Sequence, residues 1–420
     1  MLGATTAMTT ATDVDAAYDR LHDVVVTTPL QYSTRLSART GHDVWLKRED
    51  LQVVRSYKLR GAYNLLSQLS TEQQARGITC ASAGNHAQGV AYACQQLKLT
   101  ARIYLPRTTP RQKRNRITAL GGSSVDVILI GDTYDAAFAH AQQDANDTGA
   151  ILVPAFDDAD IIAGQGTVAR EIVEQLGHAP DVLIVPVGGG GLISGALTWL
   201  GERAPGVRVV GAEPRGAASM AAAVAAGHPV RLDDLDGFVD GAAVRQVGSL
   251  NAQIVRAAET ELVEVDPGVL CEEMLDLFNS DGIISEPAGA LAAAALRRFD
   301  HDGDRRTVVC VVSGGNHDVS RYAEVIERAL VSQGLKHYFL VDFPQEPGAL
   351  RSFLDHVLGP DDDIALFEYV KRHNRETGTA LVGIELGAAE DLTGLNQRLE
   401  ASPLQVNKLD PDDPAFQFLL

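Results

Sequence analysis

The sequence predicts an open α/β body built on two sheets with a cleft between them, followed by a small α+β module of ferredoxin-like order. Three observations carry that expectation. Short unbroken runs of Val, Ile and Leu, such as those at 182–187 and 307–312, have the character of parallel strands buried on both faces. Such runs alternate with helical patterns over most of the first 330 residues, the mark of a sheet crossed by helices. Beyond about residue 334 the order changes to βαββαβ, opening on a strand that alternates apolar and polar residues.

Taken in order, residues 1–12 are rich in Thr and Ala and lack both a basic stretch and a long apolar core. They read as a flexible tail rather than a signal peptide. Asp13 to Asp23 reads as a helix, and Thr28-Pro29-Leu30 as a break before an extended segment. Val44 to Lys47 is a short strand, and Lys58 stands at the start of a helix whose apolar periodicity runs from Ala62 to Leu69. Strands at 78–83, 101–106, 125–130 and 151–154 then alternate with helices at 85–97, 110–120, 134–146 and 166–176. Further strands fall at 182–187, 207–212 and 307–312, with a helix at 193–199 after the first of them. The Ala-rich stretches at 217–226 and 288–295 are small-residue helices, too short to span a membrane. In the C-terminal module, strands at 337–343, 364–371, 380–386 and 405–409 frame helices at 347–358 and 392–400.

With 420 residues, 45% hydrophobic and 22% charged, the chain has room for two or three domains and a sizeable core. Its net charge of −19 argues against a nucleic-acid partner or an anionic membrane. Cys80, Cys94, Cys271 and Cys310 form no CxxC pair and no metal-ligand spacing, so buried free thiols and a cytoplasmic setting are expected. The module carries 7 basic and 15 acidic residues and no nucleophile–base constellation, so it reads as non-catalytic.

Open α/β sheets bind ligands at the carboxyl ends of their strands, and three strand-to-glycine junctions occur here. Gly188-Gly189-Gly190-Gly191-Leu192 joins a buried strand to a helix. Glycines allow backbone N–H groups close to an anion, and the helix N-terminus adds a favourable field. The spacing is neither GxGxxG nor a Walker loop, which leaves a single phosphate as the natural guest. Ser82-Ala83-Gly84-Asn85-His86 offers backbone donors and a hydroxyl to a substrate carboxylate, although Asn85 can equally be a helix cap and His86 a packed histidine. Ser313-Gly314-Gly315-Asn316 places a hydroxyl that can face a ring nitrogen or serve only as a turn residue. Lys58 is either a solvated surface charge or an amine whose pKa burial lowers, freeing it for Schiff-base chemistry. A lysine for an aldehyde, a cup for one phosphate and polar partners for a ring together describe a pyridoxal phosphate site.

Lys47-Arg48-Glu49-Asp50-Leu51, Ser56-Tyr57-Lys58-Leu59-Arg60-Gly61-Ala62, Ser82-Ala83-Gly84-Asn85-His86-Ala87-Gln88-Gly89, the tetraglycine and Ser313-Gly314-Gly315-Asn316 resemble the fold-type II threonine/serine dehydratases. With the C-terminal module, the resemblance is to their biosynthetic threonine dehydratase branch and covers nearly all of residues 13–420. It implies a pyridoxal phosphate domain over 13–334, with a smaller subdomain at roughly 52–151, and an ACT-like regulatory domain over 335–420. By the same resemblance Lys58 is the Schiff-base lysine, and Asn85 bonds the cofactor's 3′-oxygen. Gly188, Gly189, Gly190, Gly191 and Leu192 hold its phosphate, and Ser313 faces its ring nitrogen. Ser82, Ala83, Gly84, Asn85 and His86 hold the substrate carboxylate, and Glu286 lies near the cofactor.

The implied reaction is the conversion of L-threonine to 2-oxobutanoate and ammonia, opening isoleucine biosynthesis, in a homotetramer inhibited by isoleucine, with valine, if it acts, competing for the same site. The ACT-like turn at Phe343 to Leu350 would offer donors for the effector's carboxylate, with Leu350 and Phe353 beside its side chain. A neutral Ser313 hydroxyl, unlike a carboxylate, leaves the ring a weaker electron sink and favours elimination over transamination. L-Serine dehydratase and serine racemase are the rival activities. The racemases of this resemblance carry a serine where this chain has Ala83, which counts against racemisation. A catalytically silent amino-acid sensor is disfavoured by Lys58, Asn85 and Ser313 standing together. Two departures are noted: Tyr57 replaces the usual phenylalanine and adds a hydroxyl that needs a partner, and Glu213 matches a divalent-ion ligand without a second carboxylate at Arg215, Ala217 or Ser219. No metal is expected.

Overall fold

The computed structural model of the chain describes residues 8–298, 303–369, 376–410 and 416. The described residues form two compact units. The first takes the chain up to Pro267 together with Asp276–Asp318, and the second takes Gly268–Leu275 with the described residues from Val319 onward. The expected division at 334/335 therefore moves earlier. The helix Tyr322–Ser332 sits with the second unit because its Glu327 pairs with Lys336 at 2.5 Å and accepts the Tyr338 hydroxyl at 2.6 Å.

The first unit holds two sheets. One has six strands in the order Leu30–Tyr32, Asp43–Arg48, Thr307–Val312, Val182–Pro186, Arg208–Pro214 and Glu261–Val265, and only its first pair is antiparallel. The other is a fully parallel sheet of four, Val125–Leu129, Ala101–Leu105, Ile78–Ala81 and Ile151–Leu152. Each has its own apolar core: Val185, Ile193 and Val309 belong to the larger, and Ile78, Val90 and Ile103 to the smaller. The strand at 261–265 was not expected. Glu261 and Glu264 interrupt its apolar run, as an edge strand exposed on one side permits.

Two helices start earlier than their periodicity indicates, and in both a cap explains it. Thr10 accepts from the Asp13 N–H while Asp13 accepts from the Thr10 N–H, so the first helix is Ala11–Leu21 rather than 13–23. Ala11 is fully buried, so the expected tail does not extend to residue 12; its residues 1–7 lie outside the described residues. The Asp158 carboxylate accepts from the Asp160 and Ile161 N–H groups and opens a helix at Ala159 that runs to Leu176. Gly164 and Gly166 disguise that helix in the sequence. They are there because neighbouring backbone presses on them: a Cβ on Gly166 would lie 2.7 Å from the Gly195 carbonyl oxygen.

In the second unit an antiparallel sheet runs Asp363–Tyr369, Thr377–Glu385, Lys336–Pro344, Gln405–Leu409, which is the strand order second, third, first, fourth. With the helices Ala349–His356 and Asp391–Ala401 it makes the expected α+β module around Phe339, Val341, Phe343 and Phe353. Residues 370 and 371 of one expected strand lie outside the described residues. Among the described residues no helix is long and apolar enough to cross a membrane. All four cysteines are buried.

Candidate active site

Lys58 is placed by three elements. The irregular segment before it is stitched to the loop after strand Thr307–Val312: Ser56 bridges Gly314, the Tyr57 N–H donates to the Ser313 carbonyl at 3.2 Å, and the Gly315 N–H donates to the Arg55 carbonyl at 2.9 Å. The helix Lys58–Leu66 begins at once, and Gly89 of helix Asn85–Leu97 packs against its first residue, where a Cβ would sit 3.1 Å from the Lys58 carbonyl. The Lys58 ammonium donates to the Ala155 carbonyl at 3.1 Å. Burial pushes this amine down to about 8, and the Glu286 carboxylate only partly opposes that. Tyr57 packs its ring against the larger core with the Lys58 nitrogen 5.3 Å from the ring centroid; its hydroxyl meets no hydrogen-bond partner among the described residues.

Beneath that first turn lies a fully buried charge cluster. Arg60 forks onto Glu49 at 2.8 and 2.9 Å and onto Glu171 at 2.8 and 2.9 Å, and also reaches Thr167. Lys47 reaches Glu171 at 2.7 Å, and Glu49 accepts from the Thr28 hydroxyl at 2.6 Å. Two cations and two anions thus cancel, and each carries hydrogen bonds enough to tolerate burial. Through Arg60, the carboxylates of Glu49 and Glu171 hold the Lys58 helix from behind.

The tetraglycine loop lies beside Ala155. Phe156, the next residue, lays its ring over Gly189, where any side chain would collide with it. Gly190 is the cap of helix Gly191–Arg203 and has φ 97°, a left-handed conformation that glycine alone adopts freely. The N–H groups of Gly191, Leu192 and Ile193 have no carbonyl a turn back to bind, so the helix offers a cluster of donors. The Leu192 side chain is in the core, leaving its N–H for a ligand. Ser194, in the same first turn, buries a hydroxyl with no partner. A cradle that a Cβ would fill, lined by helix N-terminal donors and with an orphan hydroxyl in the same turn, fits a phosphate.

Gly84, not Asn85, caps the helix Asn85–Leu97, and no side chain shares the task. Asn85 is thereby freed. Its Nδ2 donates to Glu286 at 2.5 Å, and its Oδ1 accepts from Asn316 Nδ2 at 2.7 Å. Ser82 turns its hydroxyl onto the Gly84 N–H at 3.2 Å. His86 faces away from the loop: its ring bonds the Val153 carbonyl at 3.0 Å and is held down to about 4 by burial. Its backbone N–H, rather than its ring, can meet a carboxylate. Ser313 is buried and donates to the Ala288 carbonyl at 3.3 Å.

Glu286 is pushed up to about 7, chiefly by burial and then by Asp240, against the hydrogen bond from Asn85. The folded chain therefore keeps a proton that the unfolded chain releases between about pH 4.5 and 7, and stability is lost across that window as pH rises. Glu286→Gln should remove the loss, gaining up to about 3 kcal/mol relative to the parent between pH 5 and pH 8. Chemical unfolding at the two pH values measures it; a pH-independent difference contradicts it. Glu213 is buried and spends its two oxygens on the Met220 and Ala221 N–H groups at 2.7 and 2.9 Å. It acts as an end group for helix Ser219–Ala226, and no cluster of three metal-ligating side chains exists among the described residues.

The structure thus brings Lys58, the tetraglycine, Asn85, Glu286 and Ser313 around one cleft of the first unit. Sequence reasoning missed Ala155 and Phe156. The available signal was their position just after strand Ile151–Leu152, at a carboxyl end.

Comparison with known proteins bears on this arrangement. Residues 21–314 match the family model described as pyridoxal-phosphate dependent enzyme, and residues 327–419 match the C-terminal regulatory domain of threonine dehydratase. The L-threonine dehydratase biosynthetic IlvA of Mycobacterium tuberculosis is 60% identical over 97% of this chain and 95% of its own length. A solved threonine deaminase isoform 2 from Solanum lycopersicum superposes with a TM-score of 0.72 at 40% identity, covering 76% of this chain and 92% of that one. Maize serine racemase superposes at 0.71 with 29% identity, covering 78% of this chain and 99% of its own.

Proposed function

The chain belongs to the pyridoxal-phosphate dependent enzymes and carries the regulatory domain of threonine dehydratase, and on that premise we propose how its cleft works. The reaction is the deamination of L-threonine to 2-oxobutanoate and ammonia, the step that opens isoleucine biosynthesis. The observation that supports the residue roles is the convergence of Lys58, the glycine cradle and Ser313 on one cleft.

Lys58 would carry the cofactor through Nζ, and the N–H groups of Gly191, Leu192 and Ile193 would hold its phosphate within the Gly188–Gly191 loop. Ser313 would meet the ring nitrogen with a neutral hydroxyl, and Asn85, oriented by Asn316 and Glu286, would meet the ring oxygen. Bound there, pyridoxal phosphate supplies an aldehyde for amines and a ring that takes up the electrons left at the substrate's Cα. The Ser82–His86 loop would receive the substrate carboxylate on the N–H groups at the start of helix Asn85–Leu97. Lys58 Nζ then takes the Cα proton as general base. An amine brought down to about 8 has a far larger neutral fraction near neutral pH than an exposed lysine.

Ala83 has no hydroxyl to return a proton from the other side, and the Ser82 hydroxyl is engaged by the Gly84 N–H at 3.2 Å, so elimination is the expected outcome. Incubated with L-serine, the enzyme should release pyruvate and no D-serine on chiral chromatography; appreciable D-serine contradicts the single-base reading.

The C-terminal module would bind isoleucine as an inhibitory effector, with valine competing for the same site, in a homotetramer. Inhibition requires tighter effector binding to the less active state, by roughly 1–3 kcal/mol of coupling. Of the two residues expected beside the effector's side chain, only Leu350 faces outward. Phe353 is buried in the module's own core, its ring 5.3 Å from that of Phe343, and Leu350 points outward from helix Ala349–His356.

A further inference from the structure

We propose that Asp157 and Asn251 are positioning residues for the reaction. They hold the segment Ala155–Phe156 against the glycine cradle, and so fix where the Lys58 amine rests when it acts as base. The proposal rests on the reading of Lys58 as that base, and it names what aims it.

The two ends of the site belong to different cores. Leu59 and Ala62, on the Lys58 helix, pack in the core of the smaller sheet, whereas Leu192 and Ile193, just after the cradle glycines, pack in that of the larger. Helix Ala159–Leu176 joins the two backbones, where Gly164 meets Arg60 and Gly166 meets Gly195. A lysine, however, carries its nitrogen on a flexible four-carbon stem, so a fixed backbone does not fix Nζ. The Ala155 carbonyl does, as the one hydrogen-bond partner of Nζ among the described residues. Ala155 lies in an irregular stretch between strand Ile151–Leu152 and helix Ala159–Leu176, so its own place has to come from tertiary bonds.

Asp157 and Asn251 supply them. The Asp157 carboxylate accepts from the Ser249 and Leu250 N–H groups, both at 2.9 Å. It thereby serves as the end group of helix Ser249–Ala257, whose own cap residue, Gly248, has no side chain to offer. That helix belongs to the larger core through Ala252 and Val255. Asn251, fully buried in its first turn, donates Nδ2 to the Phe156 carbonyl at 3.1 Å. It also touches the cradle, since a Cβ on Gly190 would lie 2.7 Å from Asn251 Cβ. The Gly248 N–H completes the contact by donating to the Gly189 carbonyl at 3.3 Å. One helix start thus sets both the carbonyl that holds Lys58 and the loop that offers donors to a phosphate. Asn251 shows its purpose by its cost. Its Oδ1 is buried and meets no donor among the described residues, a penalty that a leucine of similar shape would avoid. Stability alone does not call for an asparagine there; the bond to Phe156 does.

Asp158 provides the control. It stands next to Asp157 and caps a helix with bonds of the same kind, at 2.8 and 3.2 Å, but the helix is its own and neither bond reaches the cradle. The test compares full-length Asp157→Ala, Asp158→Ala and Asn251→Leu. It reads the dissociation constant of pyridoxal phosphate, from the visible absorbance of the lysine-bound cofactor, and the split of kcat from KM for L-threonine, with urea unfolding alongside. Asp157→Ala and Asn251→Leu should each lower kcat by about tenfold or more and weaken cofactor binding by about tenfold, because a small misplacement of reacting groups is costly. KM should stay within about twofold, since the lost interaction acts in the transition state. Asp158→Ala should lose as much stability as Asp157→Ala while keeping the parent's kcat and cofactor affinity. Asn251→Leu should unfold near the parent's urea midpoint. Asp157→Asn, which keeps one acceptor, should recover most of the turnover, and with Asn251→Leu it carries the comparison if Asp157→Ala does not fold. Equal kinetic losses in Asp157→Ala and Asp158→Ala, or parent kcat in both Asp157→Ala and Asn251→Leu, would overturn the positioning role. Turnover surviving in Lys58→Ala would instead overturn the reading of Lys58 on which it rests.

Discussion

Lys58→Ala should abolish keto-acid release, by at least about 10⁴-fold, if the residue has the two roles proposed for it, the point of cofactor attachment and the base at Cα. The visible absorbance of the lysine-bound cofactor should vanish with it. Stability should change little, since Lys58 makes a single hydrogen bond, to the Ala155 carbonyl, and holds its ammonium at a cost. That separation gives the experiment its force. Loss of activity in a protein that unfolds at the parent's denaturant concentration is chemical, not structural. A variant that keeps the absorbance band would place the attachment on another lysine, and Lys47 is excluded in advance by its burial and its pairing with Glu171.

Arg60→Met should instead cost stability, roughly 3–5 kcal/mol, because it removes the cation that four buried carboxylate oxygens share. Glu49 and Glu171 would be left with Lys47 as their one remaining buried cation, and Lys47 bonds only Glu171 directly. Arg60→Lys should recover little of this, since one ammonium cannot reproduce two bidentate forks. The cluster joins strand Asp43–Arg48, the turn after it, helix Lys58–Leu66 and helix Ala159–Leu176, so its loss should also loosen the first turn that presents Lys58. Urea unfolding of the first unit measures the cost. Stability within about 1 kcal/mol of the parent would mean that water enters and solvates the two carboxylates.

Much of this site was legible because its residues cluster at strand ends, where glycine, serine and asparagine interrupt apolar runs. Helix Asn85–Leu97 and strand Thr307–Val312 fall where periodicity puts them, since both are bounded by small polar residues that cannot continue the element. The edge strand Glu261–Val265 was hidden because its exposed face admits glutamates. Phe156 was hidden because the strand before it has only two residues. The charge cluster could not be read at all from spacing. Lys47 and Glu49 look like surface residues until helix Ala159–Leu176 brings Glu171 from more than a hundred positions away. The expected pairing of Leu350 with Phe353 in the module was obscured for another reason. Leu350 and Phe353 are three apart and suggest a shared face, yet the helix turns Phe353 into the core and Leu350 outward.

The keto acid released from each of L-threonine, L-serine and D-serine, presented separately to the purified enzyme with pyridoxal phosphate, tests the central claim most directly. The account predicts 2-oxobutanoate from L-threonine with the highest kcat/KM, slower pyruvate from L-serine, and neither turnover nor formation of D-serine. Pyruvate from L-serine outpacing 2-oxobutanoate from L-threonine, or any interconversion of the serine enantiomers, would contradict it.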